Sequence, residues 1–470
     1  MIEADLQTAK SGSLHYLVAA YILISLGYAF NNGIYFHPAQ LGLLILGWVV
    51  LMLPLFKNKF ITAYYFFRAD KLLLLAAATS FILFYFFDNG IYLQSRQAVS
   101  NIMVLKFLAL ILFFLYFVNF NFKGNNLFSA VILHLSRYKF IYLVILAVIL
   151  RMLIIFYSPA PQIDVFHMLQ GGGETLMRGQ NPYAAAFTNV YSPEACMINF
   201  SASVCNNDKF AYFPSSLIFI VPAIFLFVDF RFAYIGMVLF VVWLMYGLFR
   251  KKFPAGGRMA ELLVLLVLYL PLSLLVLEQS WIDQLSVYVL YIFVFLLLYN
   301  FNFLPYLVLG IFLASKQTML AFSPFVFKLT HDLKKITLAG AVFWIFILPF
   351  LFWNFHEFIG DTIFYHVNYK VSAFSLSLNS IAKTAFNFDL PLAVYLLPLL
   401  GLFGLLMFKA KRDLSGMIHA AAVFLLAFFI LRSGFANYYF SILHFIVILI
   451  FLELYQFGVD GDSESKVNIK

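Results

Sequence analysis

KFIYLVILAVILRMLIIFY, residues 139–157, is apolar over almost its whole length. As a helix, a run of this length crosses the roughly 30 Å hydrocarbon core of a bilayer. Comparable runs recur from residue 14 to residue 456, and 64% of the 470 residues are hydrophobic whereas 11% are charged. Soluble domains carry about a quarter charged residues, so the composition excludes that class. The sequence predicts an all-α polytopic membrane protein.

The apolar runs predict about 13–15 transmembrane helices. One run, 214–228, is short and interrupted by Pro222, and it either crosses the membrane or lies in its interface. Basic residues are enriched in cytoplasmic loops. With a cytoplasmic N-terminus and a 214–228 segment that does not cross, about twenty Lys and Arg lie inside and about ten outside. We therefore expect 214–228 to be a juxtamembrane helix within an outer loop.

The topology divides the chain into three parts. Residues 1–135 form about four membrane helices of unknown role, and 136–456 form a core with outer loops 158–230 and 354–390. Residues 457–470 are expected to be a disordered cytoplasmic tail. The N-terminus lacks the basic region of a cleaved signal peptide, so the first span is expected to be retained. The net charge of +9 is spread over the loops, which argues against nucleic-acid binding.

The only two cysteines, Cys196 and Cys205, both lie in the first outer loop. In an oxidising compartment they could form a disulfide, and the alternative is two buried free thiols.

A polar stretch follows the quoted span: YSPAPQIDVFHMLQGGGETLMRGQNPY, residues 157–183. Asp164 should lie at the outer interface, where a partly desolvated carboxylate suits a general base. The alternative is an N-cap for a helix beginning at Val165. His167 could share the same helical face, or be an interfacial, hydrogen-bonded ring. The glycines 171–173 lack the strand–helix context of a dinucleotide site and indicate close packing or a bend.

This stretch resembles the first outer loop of GT-C membrane glycosyltransferases, in particular glycosyltransferase family 87, the polyprenol-phosphate-mannose-dependent mannosyltransferases. In that loop an Asp follows a span, an apolar helix ends in Gly-x-x-Pro-Tyr, and Tyr-x-Pro leads into the next apolar run. The positions that match are Asp164, Gly179, Pro182, Tyr183, Tyr212 and Pro214. Later segments resemble the family at Gln279, Gly310, Lys316, Pro324, Asn379 and Tyr438, although Glu278 stands where the family has glycine.

The resemblance implies an inverting glycosyltransferase on the non-cytoplasmic face. The loop Asp would deprotonate an acceptor hydroxyl as it attacks the anomeric carbon of the sugar. The donor would be a polyprenyl-phosphate sugar, with mannose the family-level expectation, and the acceptor a glycan or glycolipid. Many sugar-transferring membrane enzymes carry two acids in this loop, whereas here Glu174 is the only near neighbour of Asp164. No cofactor or metal is expected, and the setting implied is a bacterial inner membrane with the site facing the periplasm or exterior.

The departing phosphate needs positive partners near the interface. The outward-facing cations are Lys316, Arg432, Arg178, Arg151 and Lys370. Lys316 could meet the phosphate, pair with Asp283 or extend to the headgroups. Arg432 could bind phosphate or anchor a span end. For Arg151, inside a span, a structural ion pair is expected.

Tyrosines and amides supply further candidate contacts. Tyr183, Tyr212, Tyr438 and Tyr439 could stack on sugar rings or belong to the interfacial aromatic belt. Gln279 and Asn379 could hydrogen-bond sugar hydroxyls, or cap and pack helices.

Two other functions remain open from the sequence. A transporter or flippase of lipid-linked sugars would place charges at mid-membrane and show paired broken helices in an inverted repeat. A polysaccharide polymerase or ligase would also use lipid-linked donors.

Overall fold

The computed structural model describes residues 13–33, 36–56, 69–118, 127–190, 208–368 and 375–460. Within these ranges the regular structure is helical and contains no strand. Nine of the described helices are long and apolar enough to cross a membrane, and four shorter apolar helices accompany them. The prediction of an all-α, multi-pass membrane protein is confirmed at this level. Cys196, Cys205 and Lys370 lie outside the described residues.

Five helices are described before residue 158. They are α1 (Leu14–Ala29), α2 (Pro38–Met52), α3 (Ala69–Phe87), α4 (Arg96–Phe114) and α5 (Leu127–Tyr157). In the described parts of the next region, two shorter helices, α6 (Asp164–Met177) and α7 (Leu217–Phe227), precede the long helix α8 (Arg231–Lys252). The 11 residues of α7 span about 16 Å, which is half of the hydrocarbon thickness.

The remaining helices form the second half of the bundle. They are α9 (Gly257–Leu268), α10 (Ser273–Glu278), α11 (Asp283–Leu298), α12 (Leu304–Leu313), α13 (Val326–Leu329), α14 (Leu333–Trp353), α15 (Phe355–Ile359), α16 (Tyr365–Asn368), α17 (Leu378–Phe386), α18 (Leu392–Lys409), α19 (Leu414–Leu431) and α20 (Ala436–Asp460). A π-helical turn, Gly360–Phe364, joins α15 to α16. Helix α20 continues to Asp460, into the segment predicted to be a disordered tail.

The core surrounds α20. In the most apolar 18-residue stretch of the span Ala436–Gln456, 89% of the residues are buried inside the protein. The corresponding share for the span Leu333–Trp353 is 11%. Helix α1 packs against α20, and α3 packs against α9. The described helices of the N-terminal part are therefore joined to the core.

Two predicted apolar helices are interrupted. The run 260–277 divides into α9 and α10 around Pro271, where Leu272 adopts a φ of 60°. Proline cannot donate a backbone hydrogen bond, so the α-helix does not continue through it. The run 317–329 is a 3₁₀-helix, Gln317–Phe325, followed by the single turn α13.

Helix α20 also defines the two ends of the bundle. At its start, Asn437 contacts Asp283, and near its end the carbonyl of Tyr455 accepts a hydrogen bond from Lys252. Eighteen residues of helix separate these contacts, which corresponds to about 27 Å. We call the end that holds Asp283 and Asn437 the site end. The opposite end, which holds Lys252 and the carboxyl end of α18 at Lys409, is the basic end.

The glycines of α6 permit close packing. A Cβ at Gly172 would lie 2.7 Å from the ring of Phe210, and one at Gly173 would lie 2.4 Å from Ile224 of α7. Since α6 runs unbroken from Asp164 to Met177, packing explains these glycines and a bend does not.

Candidate active site

The centre of the site end is a buried ion pair. The ammonium of Lys316 lies 2.6 Å from a carboxylate oxygen of Asp283, and both side chains are at most 5% exposed. The amide of Asn437 donates to the same oxygen at 2.7 Å. Asp283 is the first residue of α11, where the helix dipole favours a negative charge. Of the alternatives for Lys316, the structure shows the pairing with Asp283, so its charge is already balanced.

Two tyrosine rings lie beside this ammonium. The ring of Tyr438 is 4.6 Å and that of Tyr212 is 6.0 Å from the Lys316 nitrogen. Both residues are half-buried as a whole. The structure therefore brings together three residues that the sequence placed in separate segments.

Asp164 lies at the edge of the same cluster. Desolvation raises the pKa of the Tyr212 hydroxyl, and the nearby charges of Asp164 and Asp283 raise it further. One oxygen of Asp164 also accepts a hydrogen bond from the backbone N–H of Val165 at 2.8 Å. Asp164 is the first residue of α6 rather than the cap before it. It is half-buried, so it combines a fixed position with access from outside.

The connection between α3 and α4 closes another side of the site. Glu278, at the end of α10, accepts hydrogen bonds from the N–H groups of Ile91 and Tyr92 at 2.5 and 2.9 Å. Asp88 accepts from the N–H groups of Leu274 and Leu275 at the start of the same helix. The pKa of Tyr92 is raised by desolvation, and then by the charges of Glu278 and Asp164. The N-terminal part therefore supplies Tyr92 to the surroundings of Asp164.

Arg432 provides a second positive charge at the site end. Its guanidinium donates to the carbonyl of His366 at 3.1 Å and lies 5.8 Å from the ring of Tyr395. No salt bridge to a carboxylate is formed by Arg432 within the described residues. Arg432 can therefore bind an anion more readily than Lys316, whose charge is balanced by Asp283.

His366 joins this region to the outer loop. Its ring nitrogen Nε2 lies 3.1 Å from the carbonyl of Ala211, next to Tyr212. A carbonyl accepts only, so this nitrogen carries the proton. Burial lowers the pKa of His366 to about 4, opposed by this hydrogen bond and reinforced by the charges of Lys316 and Arg432. The ring is thus neutral at pH 7, and it positions Ala211 and Tyr212.

Tyr183 holds the backbone of Tyr212 through a buried hydrogen bond. It is fully buried, and its hydroxyl donates to the carbonyl of Tyr212 at 2.7 Å. Its ring packs edge-on against those of Phe210 and Phe358. A ring enclosed in this way is not open to a sugar, so its observed contacts are those of a support for the loop.

The other predicted contacts lie deeper or farther away. Gln279 is buried, and its side-chain amide donates to a carboxylate oxygen of Glu278 at 3.4 Å. The oxygen of Asn379 accepts from the N–H of Leu390 at 2.8 Å, as a buried cap would. Arg178 is exposed at the far end of α6, fourteen residues and about 21 Å from Asp164 along the axis. That distance separates Arg178 from the cluster.

His167 and Arg151 are also placed by the structure. His167 is half-buried, and its Nε2 has no hydrogen-bond partner among the described residues. Burial lowers the pKa of His167. Arg151 is buried and donates to the carbonyls of Ala147 and Leu268 at 3.0 and 2.6 Å. It reaches Asp88 only through the hydroxyl of Ser273, so the expected ion pair is indirect.

Three residues of the cluster were not among the predicted contacts: Asn437, His366 and Tyr92. Asn437 is next to Tyr438 in the sequence, so it could have been selected as a candidate together with that residue. His366 lies in the outer loop predicted at 354–390 and Tyr92 lies between two spans, and nothing local in the sequence distinguishes either residue. Among the described residues, no group of three His, Cys, Asp or Glu side chains is arranged to hold a metal ion.

Comparison of the chain with protein-family models, with curated proteins and with solved structures finds no match in any of the three.

Proposed function

We propose that the protein is an inverting glycosyltransferase that moves a sugar from a polyprenyl-phosphate donor to an acceptor hydroxyl at the site end. The observation that carries the proposal is that Asp164 acts electrostatically on Tyr212, whose ring lies with that of Tyr438 beside Lys316, while Arg432 is linked to the same loop through His366. We expect this site end to lie at the membrane interface. Polar groups at that depth are costly and need a function or a partner. A lipid-borne donor approaches such a site from the side, and a hydrophilic acceptor approaches it from the aqueous phase.

Asp164 acts as the general base in this proposal. The acceptor O–H gives its proton to the carboxylate while the oxygen forms a bond to the anomeric carbon. The bond between that carbon and the phosphate oxygen breaks on the opposite face, and polyprenyl phosphate leaves with the electron pair. The half-buried position of Asp164 fits this role, because partial desolvation brings a carboxyl group nearer to the basicity that proton transfer needs.

Arg432 is assigned to the departing phosphate. A guanidinium binds phosphate oxygens through two parallel hydrogen bonds. Lys316, the other candidate for the phosphate, is already paired with Asp283 and lies against the rings of Tyr212 and Tyr438. We assign these two rings to the sugar.

The experiment that tests the proposal uses purified protein in proteoliposomes with a synthetic prenyl-phosphate mannose and an alkyl mannoside acceptor. Asp164→Asn should lower the transfer rate by about 10²- to 10⁴-fold, which is the usual contribution of a positioned base. Glu174→Gln, on the same helix, is the matched control and should keep its activity. Full transfer by the Asp164→Asn protein, with an unchanged unfolding midpoint, would reject the assignment of the base.

A transporter of lipid-linked sugars is the second candidate. The interruption of α9–α10 at Pro271 favours it, since discontinuous helices commonly line transport sites. However, the N–H groups freed at the start of α10 are satisfied by Asp88, so they are not available to a substrate. Movement of an intact fluorescent lipid-linked sugar across the liposome, without release of lipid phosphate, would favour transport.

A further inference from the structure

A cavity of about 430 Å³ lies at the basic end, on the far side of the bundle from Asp164. Its walls come from the starts of α1 and α19, the turn that follows α2, the end of α18 with the connection after it, and the carboxyl-terminal half of α20. Ligand pockets in proteins commonly measure about 300–1,000 Å³. None of the residues in the candidate active site lines it, so it requires a separate explanation.

The cavity has a positive balance of charge. Lys409 and Lys411 stand at its rim, and Glu453 is its single acid. Glu453 accepts a hydrogen bond from the hydroxyl of Ser13. The Nε2 of His419 lies 2.7 Å from the carbonyl of Leu51, an acceptor, so this nitrogen is the donor. The lining therefore carries two lysines against one carboxylate that is already hydrogen-bonded.

The connection that carries the two lysines is held in place by the backbone. Lys328 donates to the carbonyls of Met407 and Ala410, on either side of Lys409. Asp413 caps α19 by accepting from the N–H of Gly416 at 2.7 Å. A Cβ at Gly416 would lie 2.0 Å from the carbonyl oxygen of Lys411, so only glycine fits this turn. The lysines are thus fixed at their backbones, as a binding site requires.

The lining also includes three leucines and an exposed phenylalanine. Leu17, Leu55 and Leu449 are buried in the wall. Phe408, next to Lys409, is 88% exposed. Phe408 lies in the last turn of α18, a span in which only 17% of the most apolar stretch is buried inside the protein. An exposed phenylalanine on such a helix faces lipid, so the cavity adjoins the bilayer at headgroup depth.

We propose that this cavity binds the phosphate-bearing headgroup of an anionic membrane lipid. The ammonium groups of Lys409 and Lys411 pair with the phosphate, and the leucines receive the adjoining glycerol and the first part of a chain. Basic pockets between membrane helices are suited to this class of ligand. The site does not depend on the proposed sugar transfer, and it lies at the other membrane surface.

The test compares lipids by their binding to the delipidated full-length protein. Phosphatidylglycerol should raise the midpoint of thermal unfolding and remain attached in native mass spectrometry. Phosphatidylcholine and inorganic phosphate should do neither at the same concentration. In the Lys409→Gln/Lys411→Gln protein the apparent affinity for phosphatidylglycerol should fall about tenfold or more, because each cation near an anionic headgroup contributes substantially. Glu453→Gln should tighten binding.

A second pair of basic residues provides the control. Lys251→Gln/Lys334→Gln removes the same charge from exposed positions at the same end of the bundle and should leave the affinity unchanged. Without lipid, both double variants should unfold at the midpoint of the unmodified protein. An equal loss of affinity in the control pair would overturn the proposal, since binding would then reflect general surface charge. Equal stabilisation by inorganic phosphate would overturn the assignment to a lipid.

Discussion

At the scale of single residues, Lys316 shows how the surroundings decide the role of a charge. The sequence left a phosphate contact and a pairing with Asp283 open, and the structure shows the pairing at 2.6 Å. Removal of the cation from a buried ion pair strongly destabilises the folded protein, whereas an exposed ion pair contributes little to its stability. The contact between Lys316 and Asp283 is therefore structural first, and any effect on donor binding acts through the rings it holds.

Replacement of Lys316 should consequently affect stability. We expect Lys316→Met to lower the free energy of unfolding by about 3–5 kcal/mol, because it leaves Asp283 buried without a partner. The double variant Lys316→Met/Asp283→Asn should recover most of that loss. Denaturant titration in detergent micelles measures both.

The control for this prediction is Lys335→Met. Lys335 pairs with Asp332 at 4.0 Å on the surface, and its loss should cost less than about 1 kcal/mol. If Lys316→Met costs no more than Lys335→Met and instead weakens donor binding alone, the ion pair is not the main role of Lys316.

At the scale of elements, the position of Lys316 depends on how α12 packs against α14. A Cβ at Gly310 of α12 would lie 2.5 Å from the backbone carbonyl of Ala339 and 2.6 Å from the Cβ of Val342. Backbone atoms cannot move aside as a flexible side-chain end can. The two helices therefore approach as closely as they do only because residue 310 is glycine, and α12 leads directly to Lys316.

Gly310→Ala should separate these helices. We expect it to destabilise the protein by about 1–3 kcal/mol, the usual cost of overpacking. Gly340→Ala, on α14 itself, is the matched control, because a Cβ there meets nothing within 4 Å. In a helix with open space, alanine is favoured over glycine by up to about 1 kcal/mol. Opposite shifts in the thermal unfolding midpoint are the expected result, and equal shifts would contradict the packing argument.

At the scale of the whole molecule, the two ends of the bundle should face opposite sides of the membrane. Single cysteines can report this in a background with Cys196 and Cys205 changed to serine. Arg178→Cys, exposed on α6, should react with a membrane-impermeant maleimide from outside the cell. Lys334→Cys, exposed at the start of α14, should react only after the membrane is opened. Labelling of both from the same side would contradict the topology, and labelling of residue 178 from the cytosol alone would remove the basis for sugar transfer outside.

The class of the protein and the position of most helices followed from the sequence alone. Runs of apolar residues must be helical inside a bilayer, because every backbone N–H and C=O needs a partner there. This local requirement is met by each segment separately. The same logic identified Asp164, Tyr212, Lys316, Arg432 and Tyr438 as polar residues beside span ends.

Only the tertiary structure decided how these residues combine. Lys316 and Asn437 both contact Asp283 because three segments of the chain converge there, and no local sequence pattern predicts that convergence. The interruptions of the α-helices at Pro271 and residue 317 could not be predicted from apolar composition, because composition indicates burial and not backbone geometry. The electrostatic effect of Asp164 on Tyr92, and the cavity lined by Lys409 and Lys411, likewise depend on the packing of distant segments. Hydrophobic burial along the chain determines which segments enter the membrane, whereas side-chain packing between them determines which polar groups meet.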